Sequence, residues 1–401
     1  MSDNGSDHEF QPRGFFETTP DLDGTRFGKH DLEGAREVYR DLFAKLEIES
    51  WPDNPIGPLR VWWTQEGTQT ACYLIYIASI FHRLCRNVTS RSEPIFFEKS
   101  KRLFSELSDA VFAEQLAELE VAFILSRAMS PISFEPMVPV EKIGSADQPK
   151  SPDFGFRLPS GDIAIEVTVW HWQSLRDWDA AQEQISLRLR ARLGRAGLAR
   201  QVELGLPLKV GGADIEAIVN SDVVDTMRAT DGTITITLSD GEATLRWAEF
   251  PVFSSFDEMT GSPQAAEGFG MGAVGSVEKP FGFSVRPQFS ERAFDDAATS
   301  LRKALDRKRR QTVDGLPNII VLGLGHHRLE WAWVLPMFAE RIWPNAKYKW
   351  ITALAAYTPE RAWDQLNGTA MILFDWNPNS ALPAPQPLRD AVDGRATFHL
   401  P

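Results

Sequence analysis

Residues 151–170 read SPDFGFRLPSGDIAIEVTVW, and the fold prediction starts from this stretch. Apolar residues alternate or run together on both sides of Ser160, Gly161 and Asp162, which are typical turn residues. We therefore predict two strands joined in a hairpin, preceded by a strand in ISFEPMVPV at 132–140. Residues 31 to about 128 carry apolar residues at helical spacing instead. The sequence thus predicts an α/β protein in which a helical region precedes a three-stranded meander.

Two acidic side chains stand out in the predicted hairpin. Glu166 lies within the apolar run IAIEVTV, and a buried carboxylate is costly unless it is paired or bound to a metal. A turn near residues 159–162 brings Asp153 to a neighbouring position on the adjacent strand. Facing carboxylates repel one another unless a cation lies between them, and hard ions such as Mg²⁺ prefer oxygen ligands. We predict that Asp153 and Glu166 bind a divalent metal ion.

A third acidic residue is available on the helix that precedes the meander. The apolar face of this helix consists of Phe112, Leu116, Leu119, Val121, Phe123 and Ile124. Glu118 and Glu120 both lie near that face, so either one could extend the acidic cluster. We favour Glu118 as the third member.

The order of these features resembles that in the PD-(D/E)XK nuclease superfamily, which has the restriction-endonuclease-like fold. The matching residues are Glu118 on the helix, Pro152-Asp153, and Glu166-Val167-Thr168, with Glu166 thirteen residues after Asp153. The resemblance covers about residues 108–170 and 290–323. It implies a mixed-sheet core flanked by helices, with Asp153 and Glu166 as catalytic ligands of Mg²⁺ or Mn²⁺ and Glu118 in support. Thr168 departs from the family pattern, which usually has a lysine there to orient or activate the attacking water.

A lysine farther along the chain is a candidate to replace the missing one. The segment from Phe294 to Gln311 has an apolar stripe at helical spacing, and Lys308 and Gln311 continue it one turn apart. This K-x-x-Q pattern before an apolar strand resembles that of diverged superfamily members. The resemblance implies that Lys308 positions the water or steadies the phosphorane and that Gln311 holds the ammonium. The alternative is that Lys308 only lays its stem along the edge of the core.

A basic segment, ISLRLRARLGRAGLAR at 185–200, is the candidate nucleic-acid-binding element. Its arginines follow one another without an intervening acid: Arg188, Arg190, Arg192, Arg195 and Arg200. They form either a solvated helix face or contacts to a phosphate backbone. The chain as a whole is acidic, with 42 Lys+Arg against 55 Asp+Glu and a net charge of −13. Local clustering matters more for nucleic-acid binding than this total.

Several other classes of protein lack support. The sequence GMGAVG at 270–275 fits a dinucleotide-binding pattern, but no strand precedes it and Pro280 follows, so we predict a loop within a long irregular stretch at 254–289. P-loop, G-x-S-x-G, H-E-x-x-H and C-x-x-C motifs are missing. The longest apolar run, residues 71–81, is too short to cross a membrane. The two cysteines, Cys72 and Cys85, exclude a disulfide scaffold and fit the cytoplasm.

The predicted organisation has four parts. They are a flexible arm at 1–30, a helical N-terminal region at 31–107, a nuclease-like core at 108–170 and 290–401, and an α+β insertion at 171–289 that reads the substrate. The resemblance implies a Mg²⁺-dependent endonuclease acting on DNA, with restriction or phage defence as an analogy. A homo-oligomer or an activating protein partner is compatible with this interpretation.

Two rival interpretations stay open. One is a catalytically inactive nuclease-fold protein that binds nucleic acid or serves as a scaffold, which the threonine at position 168 favours. The other is an unrelated interaction protein whose acid-rich N-terminal half recruits a partner.

Overall fold

The computed structural model describes the following residues: 15–23, 25–48, 57–64, 67–136, 151–158, 161–170, 173–250, 252–253, 273–274, 281–288, 290–324, 339–358 and 371–393. The chain divides into two compact units, Met1–His171 with Leu301–Pro401, and Trp172–Ser300. The second unit contains residues 172–289 of the predicted insertion and extends eleven residues beyond its predicted end. The first unit contains the predicted helical region together with residues 108–170 and 301–401 of the predicted core.

The first unit begins with five helices: α1 (Lys29–Leu46), α2 (Leu59–Thr64), α3 (Thr68–Asn87), α4 (Glu93–Ser105) and α5 (Asp109–Leu125). The apolar run predicted as a buried helix lies in α3, where Leu74, Ile77 and Phe81 are fully buried. Tyr39 of α1 and Trp63 of α2 pack against one another in the same core. The predicted helical character of residues 31–128 is confirmed.

Part of the predicted flexible arm, 1–30, packs against the helical core. Phe15 is buried against Trp63, and its N–H donates a hydrogen bond to the Trp63 carbonyl at 3.0 Å. Arg36 donates to the Phe15 carbonyl at 2.8 Å. Burial of Phe15 and Leu22 in the helical core holds this segment, although its composition is polar. Residues 1–14 of the predicted arm lie outside the described residues.

The predicted meander follows α5 as three antiparallel strands: β1 (Ile132–Phe134), β2 (Phe154–Leu158) and β3 (Gly161–Trp170). Side chains alternate between the two faces of a strand. Ile163, Ile165 and Val167 of β3 lie in the core shared with the helices. Ala164, Glu166 and Thr168 therefore face the opposite side of the sheet.

The second unit contains α6 (Gln173–Ala196), β4 (Arg200–Pro207), α7 (Gly212–Ile218), α8 (Ser221–Thr226), β5 (Gly232–Leu238), β6 (Gly241–Glu249), β7 (Val252–Phe253), β8 (Ala273–Val274) and β9 (Phe281–Gln288). Its four-stranded sheet has the order β5-β6-β4-β9, and β5 and β6 form a hairpin. The helices α7 and α8 are separate, because the Asn220 side chain accepts a hydrogen bond from the Val223 N–H and caps α8.

The loop predicted at 254–289 is wrong for residues 273–274, which form the short strand β8, and for residues 281–288, which form strand β9. This strand pairs with β4 in parallel, from Arg200–Phe281 to Pro207–Gln288. Gly282 and Pro287 obscured the strand in the sequence, because both residues are depleted in strand interiors. Pairing with β4 supplied the stabilisation that local propensity did not.

The next elements are α9 (Glu291–Lys308), a 3₁₀ turn (Arg309–Gln311), β10 (Asn318–Leu324), β11 (Ala353–Thr358), β12 (Met371–Trp376) and α10 (Gln386–Asp393). The sheet of the first unit has the order β1-β2-β3-β10-β11-β12. β10 is parallel to β3 and β11, and the remaining pairs are antiparallel. The predicted mixed α/β class is confirmed. Across the described residues, no helix is both long enough and apolar enough to span a membrane.

Candidate active site

Asp153 and Glu166 lie side by side where β2 separates from β3. The ladder between the two strands ends at the pair Phe154–Ile165. Beyond it the Asp153 carboxylate takes the place of a main-chain acceptor and receives a hydrogen bond from the Val167 N–H at 2.8 Å. The Asp153 N–H donates to Oε2 of Glu166 at 3.3 Å. The predicted neighbouring placement of these two acids is confirmed.

Lys308 reaches the same point from the end of α9. Its ammonium donates hydrogen bonds to Oε1 of Glu166 and, at 3.3 Å, to the carbonyl oxygen of Val167. The Glu166 side chain is 2% exposed and the Lys308 side chain 21%. Leu305 and Leu301, one and two turns earlier on α9, are fully buried, so the predicted stripe faces the protein interior. The predicted position of Lys308 beside Glu166 is confirmed.

Glu118 of α5 belongs to the cluster, but it is bound to a second lysine. The ammonium of Lys99, on α4, lies 2.9 Å from Oε1 of Glu118 and 2.9 Å from Oε1 of Glu135. Glu120, the alternative to Glu118, instead accepts a hydrogen bond from the Tyr76 hydroxyl on α3. Of the two glutamates considered, Glu118 is the one placed toward Asp153.

Glu135 joins the cluster through a backbone conformation that is rare outside glycine. Its φ is 40°, in the left-handed region, which is costly for a side chain with a Cβ. The Glu135 N–H donates to the Asp153 carbonyl at 2.9 Å. Glu135 therefore contacts Asp153 through its main chain and Lys99 through its side chain.

The protonation of the cluster follows from burial and mutual charge. Burial raises the pKa of Glu166 well above its ordinary value, and the negative charge of Asp153 adds to this. Burial, followed by the charge of Asp153, raises the pKa of Glu118 to about 7. Burial by itself lowers the pKa of Lys308, but the charges of Glu166 and Asp153 outweigh it and hold the pKa above its ordinary value. The raised pKa values of the two carboxyl groups show that the cluster disfavours further negative charge, which an added cation would relieve.

Gln311 does not hold the ammonium of Lys308 as predicted. Its side chain is buried, 3% exposed, and its Nε2 makes no hydrogen bond within the described part of the chain. It belongs to the 3₁₀ turn that follows α9, and the change of helix type there alters the side-chain direction expected from an α-helical stripe. Gln311 is buried close to the end of α9, but the Lys308 ammonium donates its hydrogen bonds to Glu166 and Val167 instead.

The cluster offers hard oxygen donors for a divalent cation. Asp153 and Glu166 supply carboxylates on adjacent strands, and the Val167 carbonyl lies beside them. These groups fit Mg²⁺ or Mn²⁺. Within the described residues, however, no three His, Cys, Asp or Glu side chains form a group positioned to hold a metal ion. Glu118, predicted as a third ligand, is paired with Lys99 instead.

The predicted nucleic-acid-binding arginines differ in their surroundings. Arg188 forms a bidentate ion pair with Glu216, with distances of 2.6 and 2.7 Å. Arg190 and Arg195 are exposed on α6 and Arg192 is half-buried. Arg200 was wrongly included, because it is buried and donates to the carbonyls of Ala199, Met227 and Arg228. It stabilises the fold and is not available to a phosphate backbone.

Lys99 and Glu135 are the members of the cluster that sequence reasoning missed. Lys99 sits in the segment FFEKSKRLF, which has the charge pattern of an ordinary solvated helix. Glu135 follows β1 in the quoted segment ISFEP, and its position immediately after a strand that neighbours Asp153 was the available signal. Comparison of the chain with known family models, curated proteins and solved structures gave no match.

Proposed function

We propose that this protein is a metal-dependent nuclease that hydrolyses phosphodiester bonds in DNA and that its first unit has a restriction-endonuclease-like core. The observation that carries the proposal is the convergence of Asp153, Glu166 and Lys308 at one point of the sheet. These residues come from three separate elements. Their residue types are those needed to hold a cation and to stabilise charge on a phosphate.

Asp153 and Glu166 would hold the metal ion. When bound, Mg²⁺ supplies a water of lowered pKa and neutralises charge on the scissile phosphate. The backbone bonds between Asp153, Glu166 and Val167 fix both carboxylates before a ligand arrives. Such preorganisation reduces the cost of assembling the site during the reaction.

Lys308 would orient the attacking water or stabilise the developing negative charge. Its raised pKa keeps the ammonium charged at neutral pH. Through its contact with the Val167 carbonyl, the ammonium lies against the main chain of β3. The next residue is Thr168, the position at which the superfamily pattern has lysine. This proximity supports the interpretation of Lys308 as a migrated lysine.

The second unit would contribute contacts to the DNA backbone through Arg190, Arg192 and Arg195. These three side chains are exposed or half-exposed on α6. Arg188 would contribute less, because Glu216 already holds its guanidinium at two points.

A catalytically inactive nucleic-acid-binding module is the second candidate function. The observation that favours it is the contact between Lys308 and Glu166, because the ammonium already neutralises the buried carboxylate without a metal ion. In this alternative, the ion pair stabilises the fold and the site performs no hydrolysis.

Cleavage of supercoiled plasmid and of single-stranded DNA in Mg²⁺ or Mn²⁺ distinguishes the two candidates. We expect the wild-type protein to cleave at least one substrate and Glu166→Gln to lose that activity. Glu37→Gln, which changes an exposed acid on α1, is the matched control and should cleave normally. A wild-type protein that binds these substrates without cleaving either of them would favour the inactive module.

A further inference from the structure

A cavity of about 220 Å³ lies next to the acidic cluster in the first unit. Ser133 of β1, Gly155 of β2 and Ala164 of β3 line it, and they are paired with one another across the three strands. By strand alternation they lie on the same sheet face as Glu166. The cavity therefore opens on the side of the sheet where Lys308 approaches Glu166.

The acidic residues lie next to this row: Glu135 directly after β1, Asp153 directly before β2, and Glu166 within β3. Glu135, Asp153 and Glu166 each lie two positions from the corresponding lining residue. Two residues of a strand span about 7 Å, so the two rows are adjacent. Glu135 also lines the cavity, as does Pro152, which precedes Asp153. A molecule in the cavity would therefore lie directly beside the carboxylates.

The cavity remains open because the residues beneath it are small. A Cβ at Gly155 would lie 2.7 Å from the carbonyl oxygen of Ile163, so the packing of β2 against β3 requires glycine there. Serine and alanine at the two flanking positions add little volume. A flat group can thus approach the sheet closely.

The chemistry of the cavity combines apolar walls with a small number of polar groups. Ile95 and Leu316 supply apolar surface, while Thr89, Ser92 and Ser133 supply hydroxyl groups. This combination is typical of pockets that bind an organic ligand in one orientation. The Ser92 hydroxyl donates to the Phe134 carbonyl at 3.2 Å, and the Thr89 and Ser133 hydroxyl oxygens lie 3.4 Å apart. Their remaining lone pairs can accept hydrogen bonds from the edge of a nucleobase.

The cavity is lined by two arginines, Arg91 and Arg157, together with two acids, Glu135 and Asp162. The Arg157 side chain is 81% exposed and pairs with Asp162 at 3.3 Å. An exposed ion pair of this kind is weak, so a phosphate can compete for the guanidinium.

We infer that this cavity binds the nucleotide adjacent to the scissile phosphate, with its base against Ser133, Gly155 and Ala164 and its next phosphate at Arg157. The placement relative to a scissile phosphate rests on the proposed nuclease function. Binding of a nucleotide does not depend on that function, because the residues that line the cavity do not include Asp153, Glu166 or Lys308.

The test measures binding of two 5′-phosphorylated dinucleotides, pdTpdT and pUpU, to the full-length protein in EDTA by ligand-detected NMR titration. Ser133→Leu fills the cavity and should weaken binding by about tenfold or more. Arg157→Ala should weaken it by about fivefold, because it removes one exposed charge contact. Arg102→Ala is the matched control, since Arg102 is an exposed arginine paired with Glu98 on α4; this variant should bind like the wild type.

The inference is overturned if the wild-type protein binds neither dinucleotide. It is also overturned if Ser133→Leu, with a wild-type melting curve, binds as tightly as the wild type. Should Ser133→Leu fail to fold, Arg157→Ala decides, and unchanged affinity in that variant rejects the inference. If Ser133→Leu and Arg157→Ala lose dinucleotide affinity as expected but the wild-type protein cleaves no DNA, the nucleotide site is supported and the nuclease function is contradicted. If the wild-type protein cleaves DNA and both variants bind the dinucleotides like the wild type, the nuclease function is supported and the nucleotide site is contradicted.

Discussion

The ammonium of Lys308 donates a hydrogen bond to the carboxylate of Glu166, a residue 142 positions earlier in the chain. The whole second unit lies between these two residues in sequence. The contact brings the end of α9 to β3 at the point where Asp153 also approaches. The positive charge of Lys308 is therefore held beside the carboxylates of Glu166 and Asp153.

Lys308→Ala should lower DNA cleavage by about two orders of magnitude, the effect expected from losing one charge-stabilising group. DNA binding should change little, because the proposed backbone contacts lie elsewhere. Adding Thr168→Lys to this variant should restore part of the activity, since Thr168 lies two residues after Glu166 on the same face of β3. The measurement is cleavage of plasmid and single-stranded DNA in Mn²⁺.

Lys303→Ala is the control for this series, because Lys303 is an exposed lysine on the same helix. It should cleave like the wild type. Undiminished cleavage by Lys308→Ala would reject the migrated-lysine mechanism.

Mn²⁺ or Mg²⁺ at millimolar concentration should raise the melting temperature of the wild-type protein. A ligand that binds only the folded state adds about 2.7 kcal/mol of stability at one hundred times its Kd. Asp153→Ala should abolish this gain, although it also lowers the baseline stability by removing the acceptor of the Val167 N–H. The quantity compared is therefore the metal-dependent difference in melting temperature within each variant.

Asp162→Ala serves as the control for the metal experiment and should retain the full gain, because Asp162 is an exposed acid in the same hairpin. An unchanged wild-type melting temperature across millimolar Mn²⁺ would count against a metal site at Asp153 and Glu166.

Replacing both Arg190 and Arg195 with alanine should weaken DNA binding and flatten its salt dependence by about two units of slope, one for each lost phosphate contact. Arg188→Ala should have a smaller effect, because Glu216 binds that guanidinium. The measurement is the affinity for duplex DNA as a function of salt concentration. Arg228→Ala, an exposed arginine paired with Asp225 in the same unit, is the control. If the double variant keeps the wild-type affinity and slope, these arginines form a solvated face only.

Glu120→Gln should stabilise the protein at pH 8. Burial raises the pKa of Glu120 to about 8, and the hydrogen bond from Tyr76 offsets only part of this effect. Between the ordinary value of 4.5 and about 8, the unfolded chain has released its proton while the folded chain retains it. Wild-type stability therefore falls as pH rises through this window, by up to about 1.4 kcal/mol per pH unit. A glutamine accepts the Tyr76 hydrogen bond and does not titrate.

Urea unfolding midpoints at pH 5, 6.5 and 8 measure this effect. The difference between Glu120→Gln and the wild type should grow with pH. Glu37→Gln, at an exposed position on α1, should follow the wild-type curve. Parallel curves for Glu120→Gln and the wild type would contradict the assignment of this pH dependence to Glu120.

The pairing of Asp153 with Glu166 was predictable because it is local. A hairpin with a turn near residues 159–162 fixes the register of its two strands, so thirteen residues of separation suffice to place one acid beside the other. Lys308 was predictable for a different reason. Its helical stripe indicated that it faces the interior, and the resemblance implied a lysine at the site.

Lys99 and Glu135 were not predictable in the same way. The position of Lys99 depends on how α4 packs beside α5, and no periodicity in the sequence specifies that packing. The left-handed backbone of Glu135 is imposed by its neighbours, since glutamate has no intrinsic preference for it. Gln311 shows the same limit, because the change from α-helix to 3₁₀ turn after Lys308 redirected its side chain.

The sequence by itself determined the mixed α/β class, the meander, the acidic pair and the interior-facing stripe of α9. Hydrophobic periodicity and turn-forming residues act over a few positions, so short segments of the sequence are enough to predict these features. Tertiary structure alone decided the parallel pairing of β9 with β4, the burial of Phe15 and Arg200, and the partner of Glu118. Each of these depends on contacts between segments far apart in the chain. Their energies come from burial and charge pairing that exist only after the segments have packed together.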